Sequence, residues 1–326
     1  MLLKSLFTSL FLISYLLSFT TAFSNLPMGT NSSTLQLQKR QLPTVHCGDK
    51  VSLINPRRPT GKILTCTLGF AVKKTRGMGG GFFDHGYLTL SSCLAGDPRS
   101  GGIANVFIDA DGRGTQLKVG KSTGSSAKYL PEASLNYAIV KVFPEFWSLE
   151  RSMNIPVRDD PKTLRIVPVG HSQNPNPENH GEICFWGGYS HHVCGAIVTL
   201  SAQITRPRPW GQRNLLGQHL HDMNYFSNMG VVTLPAFTKA QRDNTHPADW
   251  GSPVYIPERD ANNRIIRAYP TGLLDGYCTD RIVVETIRGL VTIPIHPHEA
   301  CFFYQPLDRI LANSPDLELI LSPNLP

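Results

Sequence analysis

Histidines come in close pairs that could chelate a metal: His191 with His192, His219 with His221 ahead of Asp222, and His296 with His298 ahead of Glu299. On a strand, residues two apart point to one face, so each of the last two pairs could offer two imidazoles to Zn²⁺ or Cu²⁺. A metal site needs a third or fourth ligand, and no further ligand converges by spacing. The pairs therefore read as solvated loop histidines, and no metal or other cofactor is expected. The run Gly77-Met78-Gly79-Gly80-Gly81 lacks the Lys-Ser/Thr and following helix of a phosphate loop. Asp109-Ala110-Asp111-Gly112 lacks the third acid and closing Glu of a calcium loop. Both read as turns. Seven cysteines, at 47, 66, 93, 184, 194, 278 and 301, leave one over if the rest pair as disulfides.

The N-terminus indicates where such pairing would occur. Residues 1–22 hold one early cation, Lys4, an apolar run from Leu6 to Phe19 interrupted by a few hydroxyl residues, and small residues ending at Ala22. This is the pattern of a secretory signal peptide, and the run falls short of the roughly 20 residues that span a bilayer. A polar stretch over 23–40 follows, with a glycosylation sequon at Asn31 and the dibasic pair Lys39-Arg40. It reads as a short propeptide or polar linker, with cleavage by a kexin-type enzyme after Arg40. The expected mature chain, 41–326, is secreted and extracellular, with no membrane attachment after the leader is removed.

Apolar residues make up 41% of the 326 and charged residues 17%, with 28 Gly and 25 Pro. This excludes a coiled coil and a disordered chain. Of the net +7, three charges lie in the first 40 residues (Lys4, Lys39, Arg40), so the remainder is too weakly and diffusely basic to suggest nucleic acid. Apolar, β-branched runs at 63–72, 82–90, 103–108, 136–143, 164–169, 194–205, 229–234, 264–274 and 281–295 predict strands separated by turns. One helix is predicted over 306–313, where Leu307, Ile310 and Leu311 fall at helical spacing. Strands at this spacing suit a sandwich or Greek-key barrels.

Four segments in order carry a resemblance. They are Cys66-Thr-Leu-Gly-Phe-Ala-Val with Leu88-Thr-Leu-Ser-Ser92-Cys93; Leu135-Asn136-Tyr-Ala-Ile-Val140; Cys184-Phe-Trp-Gly-Gly-Tyr-Ser-His-His-Val-Cys194-Gly195; and Ala248-Asp249-Trp250-Gly251-Ser252-Pro253 with Phe302-Phe-Tyr-Gln-Pro-Leu307. Together they resemble the trypsin/chymotrypsin-like serine peptidases, most closely the streptogrisin and α-lytic branch. The resemblance implies an all-β, chymotrypsin-like fold of two antiparallel six-stranded Greek-key β-barrels, about 47–145 and 160–305, a C-terminal helix, and a cleft between the barrels. It implies the disulfides Cys66–Cys93 and Cys184–Cys194. Because the family's cysteine ahead of the nucleophile is missing, Cys278–Cys301 is expected as the third pair, with Cys47 unpaired or intermolecular.

Family chemistry needs a Ser nucleophile, a His base and a buried Asp. The matching positions here hold Trp250, Ser92 and Asn136, with Ala248 and Asp249 in the oxyanion loop. Serine is no base near neutral pH, asparagine carries no charge for an imidazolium, and indole is no nucleophile. Asp249 takes the position of a buried acid paired with a cation, and Trp250 reads as a ring filling the cleft or anchoring a partner. The leading expectation is a secreted peptidase homologue without proteolytic activity, binding an unidentified protein or peptide through the former cleft. The competing reading is an active trypsin-like endopeptidase with a non-standard site, for which Ser252 is the relocated nucleophile and His85 points away from Ser92. A third reading, a metal or carbohydrate binder, rests on the histidine pairs and surface aromatics.

Overall fold

The computed structural model divides into two units, 1–41 and 42–326. It describes residues 42–56, 63–74, 85–94, 103–109, 112–122, 127–130, 135–160, 163–176, 181–207, 223–234, 247–278, 281–286, 289–294 and 300–322. The leader, Asn31, Lys39, Arg40, the 77–81 run and the histidines at 219, 221, 296 and 298 lie outside these residues.

The chain is all-β with short helical turns. Strands β1 (Lys50–Ile54), β2 (Leu64–Thr67), β3 (Ala71–Lys74), β4 (His85–Thr89), β5 (Ala104–Asp109), β6 (Gln116–Ser122), β7 (Ala127–Leu130) and β8 (Leu135–Val142) belong to the first sheet. Their pairings run β2-β1-β5-β6-β8-β4-β3. β2 and β3 are two halves of one bent segment, since Leu68 N–H donates to Asp49 O on one side and Gly69 N–H to Leu88 O on the other. The sheet thereby closes on itself. Side-chain alternation decides its inside: Val51 and Leu53 of β1, and Ala104, Val106 and Ile108 of β5, are buried, while Lys50 and Asp109 are exposed. β7 pairs with β8 outside the ring.

A two-stranded hairpin, β9 (Asn154–Asp160) with β10 (Thr163–Pro168), follows the short helix α1 (Leu149–Ser152). The second sheet comprises β11 (Glu182–Gly187), β12 (His191–Pro207), β13 (Met223–Leu234), β14 (Pro253–Arg259), β15 (Ile265–Cys278), β16 (Arg281–Thr286), β17 (Gly289–Pro294) and β18 (Ala300–Pro306). Its order, β11-β14-β15-β18-β13-β12, is closed by β11–β12 pairing. In both closed sheets the fourth ring strand lies beside the first, the Greek-key arrangement. The far half of β12 carries the β16–β17 hairpin. Helix α2 (Leu307–Ala312) buries Leu307 and Ile310, and β19 (Leu317–Leu319) returns to pair with β3 of the first sheet.

Several sequence expectations are corrected. The 63–72 run is two strands because the chain bends through Leu68–Phe70 to serve two neighbours. The 281–295 run is a hairpin. Helix 306–313 is shorter, since Pro306 is extended and caps rather than continues it. β19, from beyond the first closed sheet's own stretch of chain, adds to β3 outside the ring. Asp109 ends β5, and its carboxylate accepts from Gly114 N–H at 3.0 Å in the turn to β6; Ala110 and Asp111 of that turn lie outside the described residues.

Three disulfides are present: Cys66–Cys93, Cys184–Cys194 and Cys278–Cys301. The free Cys47 is buried. Burial, and then the neighbouring Asp49 carboxylate, push its thiol well above the usual range, so it stays protonated and unreactive.

Candidate functional site

The matched positions converge where the two closed sheets meet. A 3-10 turn, Ser91–Cys93, places Ser92 at the end of β4, and β8 carries Asn136. A second 3-10 turn, Pro247–Asp249, brings Ala248, Asp249 and Trp250 from the second sheet onto β1 and β2 of the first. Thr67 pins that loop: its Oγ1 donates to Ala248 O at 2.6 Å, and its N–H donates to Trp250 O at 2.9 Å. Gly251 then turns the chain with φ +88°, and a Cβ there would lie 2.4 Å from Thr89 Oγ1 and 2.6 Å from Thr67 O. Only glycine fits that geometry.

Asn136 is fully buried, and its amide is saturated. Oδ1 accepts from Ser91 Oγ at 2.7 Å and from Ser92 N–H at 3.1 Å. Nδ2 donates to Asp275 Oδ1 at 2.8 Å and to Ser92 Oγ at 3.4 Å. Its backbone N–H donates to Gln305 Oε1 at 3.1 Å. The amide orientation follows from chemistry, because Asp275 needs a donor and the Ser92 N–H needs an acceptor. Asp275, on β15, is itself fully buried. Ser92, Asn136 and the second sheet thus form one hydrogen-bonded network of alcohols, amides and a carboxylate. Ser91 Oγ donates to the amide oxygen and Ser92 Oγ accepts from the amide nitrogen, so neither alcohol is bonded to a group basic enough to take its proton.

Asp249 is buried, as its position implies, but its partners are neutral donors rather than a cation. Oδ1 accepts from Tyr189 N–H at 2.8 Å and Ser190 N–H at 3.0 Å, and Oδ2 from Ser190 Oγ at 2.6 Å and Tyr277 Oη at 3.2 Å. Such donors hold a carboxylate without a counter-ion. Burial, and then Asp249, push the Tyr277 phenol well above the usual range, which keeps it a donor. Trp250 is partly buried, packed against the core yet partly open to solvent. Ser252 is fully buried, with its hydroxyl donated to Asp249 O at 2.5 Å. His85 is exposed on β4, with its ring 5.3 Å from that of Trp147.

Two further groupings bear on chemistry. Cys184, His192 and Cys194 lie close enough to suggest a metal site, but both sulfurs are spent in the disulfide between them. His192 stacks between Trp186 and Tyr255, with ring centroids 6.4 and 6.2 Å away. Burial pushes its imidazole down to about 4. Near the start of the described chain, Asp49 Oδ2 lies 3.6 Å from His46 Nδ1, and His46 Nε2 lies 3.4 Å from Thr44 Oγ1. This is the order of an orienting acid, base and alcohol. The Arg151 guanidinium approaches the same Nε2 at 2.5 Å and takes the lone pair a base would use.

Ser91, Asp275, Thr67 and the His46 cluster were not singled out in the sequence. A lone Asp inside the apolar run Leu273-Leu274-Asp275-Gly276-Tyr277 was a usable signal, since buried carboxylates are rare without a partner.

No protein-family profile matches the chain, and no curated protein sequence does. Among solved structures, the chain is similar to Nocardiopsis protease (NAPase), at 14% identity and TM-score 0.48, covering 85% of this chain and 98% of that one. It is also similar to Thermobifida fusca Protease A, at 14% identity and TM-score 0.45, with 86% and 100% covered. Cellulomonas bogoriensis chymotrypsin matches at 16% identity and TM-score 0.45, again with 86% and 100% covered.

Proposed function

We propose that this chain is a secreted protein with a serine-peptidase-like fold and no proteolytic activity, and that it binds a protein or peptide between its two barrels. One observation carries the reading: Asn136 bridges Ser92 to Asp275 where a peptidase would need an imidazole beside a carboxylate. With Ser92, Asn136 and Trp250 at the triad positions, no proton can be drawn from an alcohol during attack. Loss of a single triad member already costs about 10⁴ to 10⁶ in turnover. The three disulfides suit an oxidising, extracellular setting. Among the described residues, no helix is long and apolar enough to cross a membrane. The partly exposed Trp250 ring supplies an aromatic anchor, a residue type enriched at binding hot spots.

Two measurements test the two halves. Fluorophosphonate labelling and hydrolysis of a mixed peptide library should both stay at background. Labelling that disappears in Ser252→Ala, Ser92→Ala or Thr44→Ala would instead establish an enzyme and identify its nucleophile. For binding, peptides selected from a displayed library against the wild-type protein should lose at least tenfold in affinity for a folded Trp250→Ala variant. Equal affinity would place the binding surface elsewhere.

A further inference from the structure

Cys184, His192 and Cys194 stand where a single covalent change would convert a disulfide and an imidazole into a metal-ligand set. Cys184 of β11 is directly opposite Cys194 of β12, and Trp186 is opposite His192, so the three ligand side chains share one face of the strand pair. Their ligand atoms all lie within 4.8 Å of one another. His192 Nε2 is 3.4 Å from Cys194 Sγ. A tetrahedral ion with sulfur at about 2.3 Å and nitrogen at about 2.0 Å sets those two atoms roughly 3.5 Å apart, so one edge of a coordination shell is already in place. A second thiolate belongs roughly 3.8 Å from the first, a separation that side-chain rotation supplies once the sulfurs are no longer bonded.

The surroundings suit such a set. His192 is held between the Trp186 and Tyr255 rings and hydrogen-bonds to the Arg158 backbone, the kind of outer contact that fixes a metal-ligating imidazole. Of the charged groups that act on the ring, Arg259 and Arg158 are cations and Asp159 is a carboxylate, a balance that favours thiolates over thiols. Access distinguishes this disulfide from the other two. Cys66, Cys93, Cys278 and Cys301 are buried, whereas Cys194 and His192 are partly exposed, which gives a reductant and then an ion a way in.

We propose that Cys184, His192 and Cys194 bind Zn²⁺ when their disulfide is reduced, with water as the fourth ligand. The reductant is a dithiol. One of its thiolates attacks Cys194 Sγ, and Cys184 leaves with the bonding electron pair; the second thiolate of the reductant then displaces Cys194 and closes the reductant's own disulfide. Two electrons pass to the chain, and the two thiols formed release their protons to solvent as they take the ion. Their two negative charges cancel that of Zn²⁺, so the seam between β11 and β12 gains no net charge. In an oxidising setting the bond stays closed and the ion is excluded. The site is independent of the cleft reading above, because none of its three residues belongs to the Asn136 network.

The full chain with its disulfides formed tests this, with Co²⁺ as a spectroscopic probe and Zn²⁺ as the competitor. Limited dithiothreitol at neutral pH, followed by alkylation and peptide mapping, should label Cys184 and Cys194 while the other two disulfides stay closed. Once the reductant is removed without air, the chain should take one Co²⁺ with a thiolate-to-metal charge-transfer absorption, and one equivalent of Zn²⁺ should erase it. The unreduced chain should show none. Cys194→Ser should abolish the absorption, and reduced His192→Gln, with its fold confirmed by circular dichroism, should bind Co²⁺ at least tenfold more weakly. A disulfide that will not open without unfolding the chain, no absorption in the reduced chain, or equal Co²⁺ affinity in His192→Gln would each overturn the proposal.

Discussion

At the scale of single residues, the meeting point of the barrels turns on the pairing of Asn136 with Asp275. The resemblance matched Ser92, Asn136 and Trp250 to the triad positions, and the structure bonds Ser92 to Asn136 and sets Trp250 O 3.8 Å from Cys93 Sγ. The sequence could not reveal that Asp275 reaches across from the second sheet, because that contact joins residues 139 apart through tertiary packing alone. The contact constrains any attempt to rebuild a triad. In Ser92→His/Asn136→Asp/Trp250→Ser, a new carboxylate would stand at hydrogen-bond distance from a fully buried one. Two such groups cannot both ionise, so one carboxyl is held above its usual range. A raised folded pKa favours the folded state at low pH and is lost as pH rises, so the triple variant should be more stable near pH 4 than near pH 7 relative to wild type. Adding Asp275→Ser should recover on the order of 2 kcal/mol at pH 7 in urea denaturation. No gain from Asp275→Ser would mean that the two side chains separate when both are acids. Activity, if it returns, is expected only after that fourth change.

At the scale of elements, the strands read from the sequence were those with long apolar or β-branched runs, such as β8, β13 and β15. Two of the strands missed as apolar runs, β6 and β9, carry polar residues on one face or proline within them. β6 reads Gln-Leu-Lys-Val-Gly-Lys-Ser and buries only Val119, Gly120 and Ser122, while β9 holds Pro156 and buries Ile155 and Val157 on either side of it. Alternation over so few positions is weak unless the partner strand is known. The 3-10 turns at Ser91–Cys93 and Pro247–Asp249 have no periodic signal at all, yet they aim the site residues. The loop after the second turn depends on Gly251. Its positive φ costs other residues about 1 to 2 kcal/mol, before the clash with Thr89 and Thr67 is counted. Gly251→Ala should therefore lose about 3 kcal/mol or more in chemical denaturation. A loss under about 1 kcal/mol would show that the Trp250 loop can move away from β2 without penalty.

At the scale of the whole molecule, the second barrel is closed by the β11–β12 pairing, and His192 is built into that seam. It faces Trp186 of β11 and Tyr255 of β14, beside Arg158 and Asp159 of the β9–β10 hairpin and Arg259 of β14. Three elements therefore depend on this ring staying neutral. Burial is the main cause of its low pKa, and the cations Arg259 and Arg158 add to it, while Asp159 and a hydrogen bond to Arg158 oppose it. The folded imidazole titrates at about 4, against 6.5 for an unperturbed one. The unfolded chain takes up the proton first as pH falls, so full stability is present above pH 6.5 and is lost progressively down to about pH 4. Across that window the loss attributable to this one group is about 3 kcal/mol. Carboxylates titrate in the lower part of the same range, so the comparison must be with His192→Gln, which keeps a polar side chain without a proton to gain. Thermal melts at pH 7, 6, 5 and 4 should show the wild-type midpoint falling faster than that of His192→Gln, with the gap opening mainly between pH 6.5 and 4.5. Parallel curves would mean that the ring protonates while folded, and that the seam between β11 and β12 admits water.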